Sequence, residues 1–281
     1  MFSRILIANR GEIALRIIRA ARVMGIESVC VYSKADADGP WLQHADETVC
    51  IGEPPAAESY LRTDRIISAA EVTGAEAIHP GYGFLAENAS FAEACLDSGF
   101  AFIGPSPKAM ALLGDKVSCK RMARKAGTPV FPGTEGEIDD LQEAIDVAGE
   151  IGFPVIVKAA FGGGGRGMRI VQDESEISEA VESAAQEARA AFGNGSVYIE
   201  KYLEKARHFE VQCIGDGRGE AVHLFERDCT SQRRHQKLVE EAPAPGIDPE
   251  KRLQVCESAS RLIASACTWW SMAFSYCPRR S

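Results

Sequence analysis

Four consecutive glycines, at 162 to 165, lie between two apolar stretches in the segment KAAFGGGGRGMRIV. Glycine allows the backbone to approach a ligand closely, and successive backbone N–H groups bind phosphate. Gly162, Gly164 and Gly167 formally match a dinucleotide-binding fingerprint, but that fingerprint needs a helix next, and MRIVQD is typical of a strand. A Walker loop is excluded because no Gly-Lys-Ser/Thr follows. We predict a strand–turn–strand flap over phosphates, with a loose hairpin loop as the alternative.

Two lysines are placed where they could reach such phosphates. Lys158 lies inside FPVIVKAA, an otherwise apolar strand, where burying an ammonium group without a partner is costly. Lys116 begins a predicted helix in GDKVSCKRMARK. Because lysine binds phosphate as a compact point charge, we predict that both converge on a polyphosphate. The alternative for each lysine is a solvated surface charge.

Polar residues also follow two later strands. Glu200 and Lys201, in YIEKYLE, end a predicted strand at a place where backbone groups can pair with an adenine edge. The segment QRRHQK, residues 232 to 237, has a polar or cationic side chain at each of its six positions, between HLFERDC and LVEEAPAP. We interpret this segment as an anion-facing site. A solvated turn is the alternative.

The elements that position these residues have an α/β pattern. ILIA, GEIALRIIRAARVMG and SVCVYS predict a strand, a helix and a strand, which together open a parallel sheet. The alternation continues to about residue 114 as one doubly wound unit. A helix and the Pro- and Gly-containing stretch TPVFPGTEGE then connect to a second unit. Extended segments after residue 205 indicate antiparallel pairing.

Composition limits the class of protein. The 281 residues are 46% hydrophobic and 25% charged, enough for two compact units. A net charge of -9 excludes the basic footprint of nucleic-acid binding. Nine cysteines without a CxxC pair fit reduced thiols better than disulfides or zinc. No run approaches the ~20 apolar residues of a membrane span. We expect a cytoplasmic protein without nucleic-acid or membrane partners.

Seven strings, taken together and in order, resemble the biotin carboxylase family of the ATP-grasp superfamily. They are ILIANRGEIALRIIRAA, HPGYGFLAEN, FIGPS, GDKVSCKRMA, FPVIVKAAFGGGGRGMRIV, IEKYLEKARHFEVQ and ERDCTSQRRHQKLVEEAPAP. The glycines alone would also suit another ATP-grasp ligase, whereas RRHQKLVEEAPAP is similar to biotin carboxylases specifically. The resemblance covers residues 1 to about 266.

The resemblance implies ATP-dependent carboxylation of biotin on a carrier. Bicarbonate would attack the γ-phosphate of ATP, and the resulting carboxyphosphate would deliver carbon dioxide to biotin, while the protein positions the reactants and neutralises charge. The implied cofactors are ATP and Mg²⁺ or Mn²⁺. The implied partners are a biotin carboxyl carrier protein or domain, a carboxyltransferase subunit and a second copy in a homodimer.

The resemblance also assigns roles to residues on several elements. Two lysines and a glycine loop would hold the phosphates, residues after one strand would frame the adenine, and two histidines and a glutamine would serve the sugar and phosphate side. The implied ATP-binding residues are Lys116, Lys158, Gly162, Gly163, Gly164, Gly165, Met168, Glu200, Lys201, Leu203, His208, Gln232 and His235. Lys237 would face bicarbonate as the catalytic residue.

The implied fold class is α/β, with a Rossmann-like N-terminal domain, an ATP-grasp lid of α+β type and an incomplete antiparallel ATP-grasp platform. The corresponding ranges are 1–114 for the N-terminal domain, 115–130 for a linker helix, 131–204 for the lid and 205–266 for the partial C-terminal subdomain. Closure of the lid would exclude water from a labile intermediate.

Residues 267–281, CTWWSMAFSYCPRRS, do not match the family pattern. The family continues with a G-T-x-E-F strand and a segment resembling E-x-N-x-R-x-Q-V-E-H, which carry its metal ligands and bicarbonate residues. We therefore expect no metal site here, no platform strand to pair with residues 205 to 245, and exposed edges that favour aggregation. A shifted reading frame is the favoured interpretation, and a genuine short variant is the alternative. An inactive fragment that at most binds nucleotide or a partner stays open as a second function.

Overall fold

A computed structural model describes residues 1–114, 116–134, 136–138, 140–159, 168–192, 195–204, 206–233, 236–266 and 271–276. The chain divides into two compact units, Met1–Ala111 and Leu112–Ser281. The predicted glycines Gly162, Gly163, Gly164 and Gly165 and the predicted His235 lie outside the described residues. Among the described residues, no helix has both the length and the apolar character needed to cross a membrane.

The first unit is a parallel sheet with helices between its strands. Its sheet has the order β3-β2-β1-β4-β5, and every pair of neighbouring strands is parallel. The elements are β1 (Arg4–Ile7), α1 (Gly11–Val23), β2 (Glu27–Ser33), β3 (Glu47–Gly52), α2 (Thr63–Thr73), β4 (Ala77–His79), α3 (Ala89–Asp97), β5 (Ala101–Phe102) and α4 (Pro107–Gly114), in which the division between the units falls. The predicted Rossmann-like arrangement is therefore present.

Burial in the first unit follows the sequence pattern. Consecutive residues of β1, Ile5 to Ile7, are all buried, as expected for a parallel strand covered on both faces. Helix α1 buries Ala14, Ile17, Ile18 and Ala21, which lie on one helical face. The two faces of the sheet thus form two apolar cores.

The second unit begins with α5 (Lys116–Lys125) and contains an antiparallel sheet of order β7-β6-β8. The remaining elements of this part are α6 (Leu141–Ile151), β6 (Val155–Ala159), β7 (Arg169–Val171), α7 (Ile177–Phe192) and β8 (Val197–Lys201). Helices α6 and α7 cover one face of the sheet, where Val155, Val157 and Ile199 are fully buried. The opposite face carries Lys158 of β6 and Tyr198 and Glu200 of β8.

A second antiparallel sheet, of order β10-β9-β13, follows in the same unit, together with a two-stranded ribbon. These elements are β9 (Phe209–Gly215), β10 (Ala221–Asp228), the ribbon strands β11 (Gln232–Arg233) and β12 (Gln236–Lys237), α8 (Pro249–Ser265) and β13 (Ser271–Tyr276). Asp248 caps α8 by accepting hydrogen bonds from the backbone of Glu250 and Lys251. Helix α8 packs on Val211 and Cys213 of β9.

The expectation that no strand pairs with residues 205 to 245 was wrong. Strand β13 lies in the segment predicted not to match the family, and it pairs antiparallel with β9 from Ser271↔Ile214 to Tyr276↔Phe209. Residues 271–276 are uncharged and include Phe274 and Tyr276, which favour strands, so they can pair where a strand edge is available. Strand β9 is therefore a central strand with a partner on each side.

Candidate functional site

The first polar cluster lies on the face of the β7-β6-β8 sheet opposite α6 and α7. Lys158 of β6 stands directly across from Tyr198 of β8, and Glu200 follows two residues later on the same face. The ammonium group of Lys158 donates to Oε2 of Glu200 at 2.5 Å. Lys120, on α5, forms an ion pair with the other oxygen, Oε1. One carboxylate therefore holds two ammonium groups from two different elements.

Burial makes this carboxylate a strong partner. Glu200 is 8% exposed, and the Lys120 and Lys158 side chains are 20% and 25% exposed. Burial alone would raise the pKa of Glu200, but the charges of Lys158 and Lys120 outweigh it and hold this pKa below its ordinary value. The cluster, which contains two cations and one anion, therefore has a net positive charge.

An aromatic ring supports both ammonium groups. The Nζ atoms of Lys120 and Lys158 lie 5.0 Å and 5.7 Å from the centroid of the Tyr198 ring. Both distances are within the range of cation–π attraction. Burial raises the pKa of the Tyr198 phenol, which therefore stays neutral at neutral pH. The ring offers a face on which either ammonium group can rest.

The backbone that carries Glu200 is fixed on both sides. Strand β6 pairs with one edge of β8, and residues 132–134 line the other edge. Thr134 donates its backbone N–H to the carbonyl of Ile199, and Lys201 donates its backbone N–H to the carbonyl of Pro132, each at 2.9 Å. Gly133 allows this approach, because a Cβ atom there would lie 2.5 Å from the Ile199 carbonyl oxygen.

Lys201 is next to Glu200 in sequence, but its side chain points to a different part of the fold. Its ammonium group donates to the carbonyl oxygens of Gly152 and Phe153, at 2.8 Å each, just after α6 ends. A lysine at a helix C-terminus satisfies carbonyls that have no partner within the helix. Leu203 and Met168, two further predicted contacts, are half-buried beside β8 and β7.

The second group of predicted residues meets near β9 and β11. The side-chain amide nitrogen of Gln232 lies 2.6 Å from Nδ1 of His208 and donates to the carbonyl oxygen of Cys229 at 2.8 Å. With Nδ1 as the acceptor, Nε2 of His208 carries the proton. This buried Nε2 has no hydrogen-bond partner among the described residues. His208 therefore keeps one donor for a further group.

The third cluster surrounds Lys237, which was predicted to face bicarbonate. Its ammonium group pairs with Oε1 of Glu210 and lies 3.9 Å from Glu240. Arg227 pairs with Oε2 of Glu210 at 3.1 Å and, through Nε, with Glu240 at 3.1 Å. Glu210 is 4% exposed, and burial alone would raise its pKa, but Lys237 and Arg227 hold this pKa below its ordinary value. Two cations and two carboxylates thus balance each other.

Five residues of these clusters were absent from the predicted site: Lys120, Tyr198, Glu210, Arg227 and Glu240. Lys120 lies one helical turn after the predicted Lys116, and that spacing was the available signal. Glu210 occupies a polar position of the alternating strand HFEVQCI, a pattern that predicts an exposed side chain, so its burial had no local signal. Nothing local to Arg227 distinguishes it. Lys116 does begin α5, as predicted, and the side chain at that position is outside the described part of the chain.

One group of side chains has the spacing of a metal site. The ligand atoms of Glu210, Cys229 and Glu240 lie within 4.8 Å of one another, and this is the one such group in the described part of the chain. Burial and then Glu210 raise the pKa of the Cys229 thiol to about 11, and Lys237 and Arg227 already occupy the carboxylates. Mg²⁺ and Mn²⁺ prefer oxygen ligands, so this group does not fit either ion.

The matches to family models define the class of protein. A biotin carboxylase N-terminal domain model matches residues 1–110, and a model of the ATP-binding domain of the carbamoyl-phosphate synthase L chain matches residues 115–271. Biotin carboxylase from Pseudomonas aeruginosa is 57% identical over 256 residues, which are 91% of this chain and 57% of that protein. The chain belongs to the biotin carboxylase family, as the sequence motifs predicted.

Solved structures agree with this family assignment. Biotin carboxylase from Campylobacter jejuni, in a complex with beta-gamma-ATP, superposes with a TM-score of 0.93 at 48% identity over 100% of this chain and 63% of that chain. The biotin carboxylase domain dimer of Hydrogenobacter thermophilus 2-oxoglutarate carboxylase, with MgADP, ADP and bicarbonate, has a TM-score of 0.90 at 44% identity, over 99% and 61%. The predicted fold class is confirmed, and the chain spans about 57% of the length of the Pseudomonas relative.

Proposed function

We propose that this chain takes part in the ATP-dependent carboxylation of carrier-bound biotin with bicarbonate, through carboxyphosphate. The observation that supports this function best is the net positive cluster around Glu200. Its Lys158 and Glu200 are residues that the family resemblance assigns to ATP, and their side chains contact each other. Two relatives in this family were solved with a nucleotide, one of them also with bicarbonate.

In this proposal the nucleotide lies along the polar face of β6 and β8. Lys158 and Lys116 would neutralise the phosphates, the loop of Gly162 to Gly165 would cover them, and Glu200, Lys201 and Leu203 would frame the adenine. His208 would use its free Nε2–H toward the sugar or a phosphate, supported by Gln232. Met168 and His235 complete the predicted contacts.

Lys237 would hold bicarbonate, with Glu210 fixing the position of its ammonium group. Once Lys237 has released a carboxylate, its positive charge would lower the cost of bringing two anions together as a bicarbonate oxygen attacks the γ-phosphorus and ADP leaves. Mg²⁺ or Mn²⁺ would neutralise the β- and γ-phosphates when bound, and the group of Glu210, Cys229 and Glu240 does not fit either ion. The carrier, a carboxyltransferase, a homodimer, a cytoplasmic location and the domain limits predicted above belong to the same proposal.

Nucleotide binding without carboxylation is the second candidate function. It is favoured by the ion pairs of Lys237, because an ammonium group already held by Glu210 and close to Glu240 has to release a partner before it can bind bicarbonate. The cluster at Glu200 has two ammonium groups for one carboxylate, so one of them can bind a phosphate while the carboxylate stays paired. Membership of the biotin carboxylase family supports the proposed carboxylation over the reaction of a different ATP-grasp ligase.

Two measurements on the purified 281-residue chain separate these functions. Calorimetry measures binding of MgATP, and release of phosphate with labelled bicarbonate and free biotin measures turnover. Turnover that requires both bicarbonate and biotin would support the carboxylation proposal. Binding without turnover would support the second candidate alone. Absence of MgATP binding would contradict both, and a chain with Lys158→Met, which should bind MgATP poorly, is the matched negative control.

A further inference from the structure

Lys120 contacts the proposed nucleotide site without being one of its predicted residues. It approaches from α5 and pairs with Oε1 of Glu200, while Lys158 approaches from β6 and pairs with Oε2. Glu200 is buried, and its two carboxylate oxygens are thus divided between two ammonium groups that both lie over the Tyr198 ring. The arrangement has one more cation than the carboxylate needs.

We propose that Lys120 is a positioning residue that keeps Glu200 neutralised, so that Lys158 can exchange this carboxylate for a phosphate of the nucleotide. The inference rests on the proposed nucleotide site. When Lys158 turns toward a phosphate, Lys120 still pairs with Glu200, and no buried carboxylate is left alone. The Tyr198 ring gives Lys158 a continuous attractive surface during the exchange.

Without Lys120 the same exchange would be costly. Glu200 would depend on Lys158 as its cation, and moving Lys158 to a phosphate would leave a buried negative charge unpaired. Lys158 would therefore stay on Glu200, and phosphate binding would weaken although every predicted phosphate contact is still present. The loss of phosphate binding without Lys120 therefore depends on the negative charge of Glu200. A residue that only contacted the nucleotide would show no such dependence, so removing this charge tests the proposal.

Titration calorimetry with MgATP on the full chain tests the exchange. Lys120→Met should weaken binding by at least about tenfold, and Lys120→Arg should bind almost as wild type does, because the charge is kept. Combining Lys120→Met with Glu200→Gln should bind MgATP as Glu200→Gln alone does, since Lys158 then has no carboxylate to hold it. AMP, which lacks the β- and γ-phosphates, should bind Lys120→Met and Lys120→Arg as it binds wild type. Lys125→Met, at an exposed position on α5, is the matched control.

Three results would overturn the inference. Lys120→Met binding MgATP as tightly as wild type would show that Lys158 is free without it. A double variant that binds MgATP more weakly than Glu200→Gln alone would show that Lys120 contacts the nucleotide itself. If the wild-type chain does not bind MgATP, both the proposed function and this inference are wrong. If it does bind MgATP and one of the first two results is found, this inference alone is wrong. If thermal melting shows that Lys120→Met alone is unfolded, the comparison of Glu200→Gln with the double variant decides, because the two should bind equally.

Discussion

Two regions of the second unit each contain a buried carboxylate paired with two cations, but the two clusters differ in net charge. Around Glu200, a buried carboxylate is shared by Lys120 and Lys158, and around Glu210 a buried carboxylate is shared by Lys237 and Arg227. In both places neighbouring cations lower the pKa of a carboxyl that burial alone would raise. The difference is Glu240, a second carboxylate that balances the cations of the Glu210 cluster.

Because of this difference, the Glu200 cluster can bind an anion as it stands, whereas the Glu210 cluster must first break an ion pair. A net positive cluster can attract a polyphosphate while its own carboxylate stays paired. A balanced cluster offers an anion no excess charge, so binding there requires Lys237 or Arg227 to give up a carboxylate. Among the described residues, the nucleotide side of the proposed site is therefore prepared for its ligand, and the bicarbonate side is not.

The largest expected effect comes from replacing each buried glutamate by glutamine. Glu200→Gln leaves Lys120 and Lys158 facing each other without their shared carboxylate, and we expect the free energy of unfolding to fall by about 2–3 kcal/mol. Glu210→Gln leaves Glu240 beside Lys237 and Arg227, and we expect a smaller loss of about 1–2 kcal/mol. Urea unfolding at pH 7, followed by circular dichroism, measures both. Equal losses would contradict the difference in charge balance.

The pH dependence of stability provides a second test of the buried glutamates. The pKa values of Glu200 and Glu210 are lower in the folded protein than in the unfolded chain. Their stabilisation is therefore complete above the unfolded glutamate value of about 4.3 and is lost as the pH falls through the folded values. Stability measured from pH 7 to pH 3 should fall less steeply below about pH 4.3 for Glu200→Gln than for wild type. Parallel curves would show that Glu200 is not the group responsible.

The next prediction compares the effect of replacing one lysine from each cluster, Lys158 or Lys237. Lys158→Met should weaken MgATP binding by about 10- to 100-fold, the effect of losing a charge-assisted hydrogen bond. Lys237→Met should change MgATP binding by less than about fivefold, because that ammonium group is already paired with Glu210. Calorimetry on both variants measures the contrast, with Lys125→Met as the control. A loss for Lys237→Met as large as that for Lys158→Met would mean that Lys237 binds the nucleotide.

The sequence predicted what is local and missed what depends on distant pairing. The spacing of apolar residues in α1 and β1 was sufficient to predict the parallel sheet. The position of Lys158 in an apolar strand indicated a charged partner. The partner itself, and the second cation at Lys120, depend on how α5, β6 and β8 meet, which no local pattern encodes. Strand β13 was missed because its residues were compared with the family pattern, whereas pairing with β9 requires only an extended chain beside an available edge.

The smallest expected effect concerns Lys201, a cation next to Glu200 that belongs to neither cluster. Its ammonium group bonds to the carbonyls of Gly152 and Phe153, so Lys201→Met should lower the free energy of unfolding by about 1–2 kcal/mol by leaving the end of α6 without a donor. MgATP affinity should change far less than in Lys158→Met, since the predicted adenine contact at this position would use the backbone. Urea unfolding and calorimetry on one preparation measure both. If affinity instead falls as far as in Lys158→Met while stability is kept, the Lys201 ammonium leaves α6 for the nucleotide, and the positive charge of the site is larger than the Glu200 cluster alone supplies.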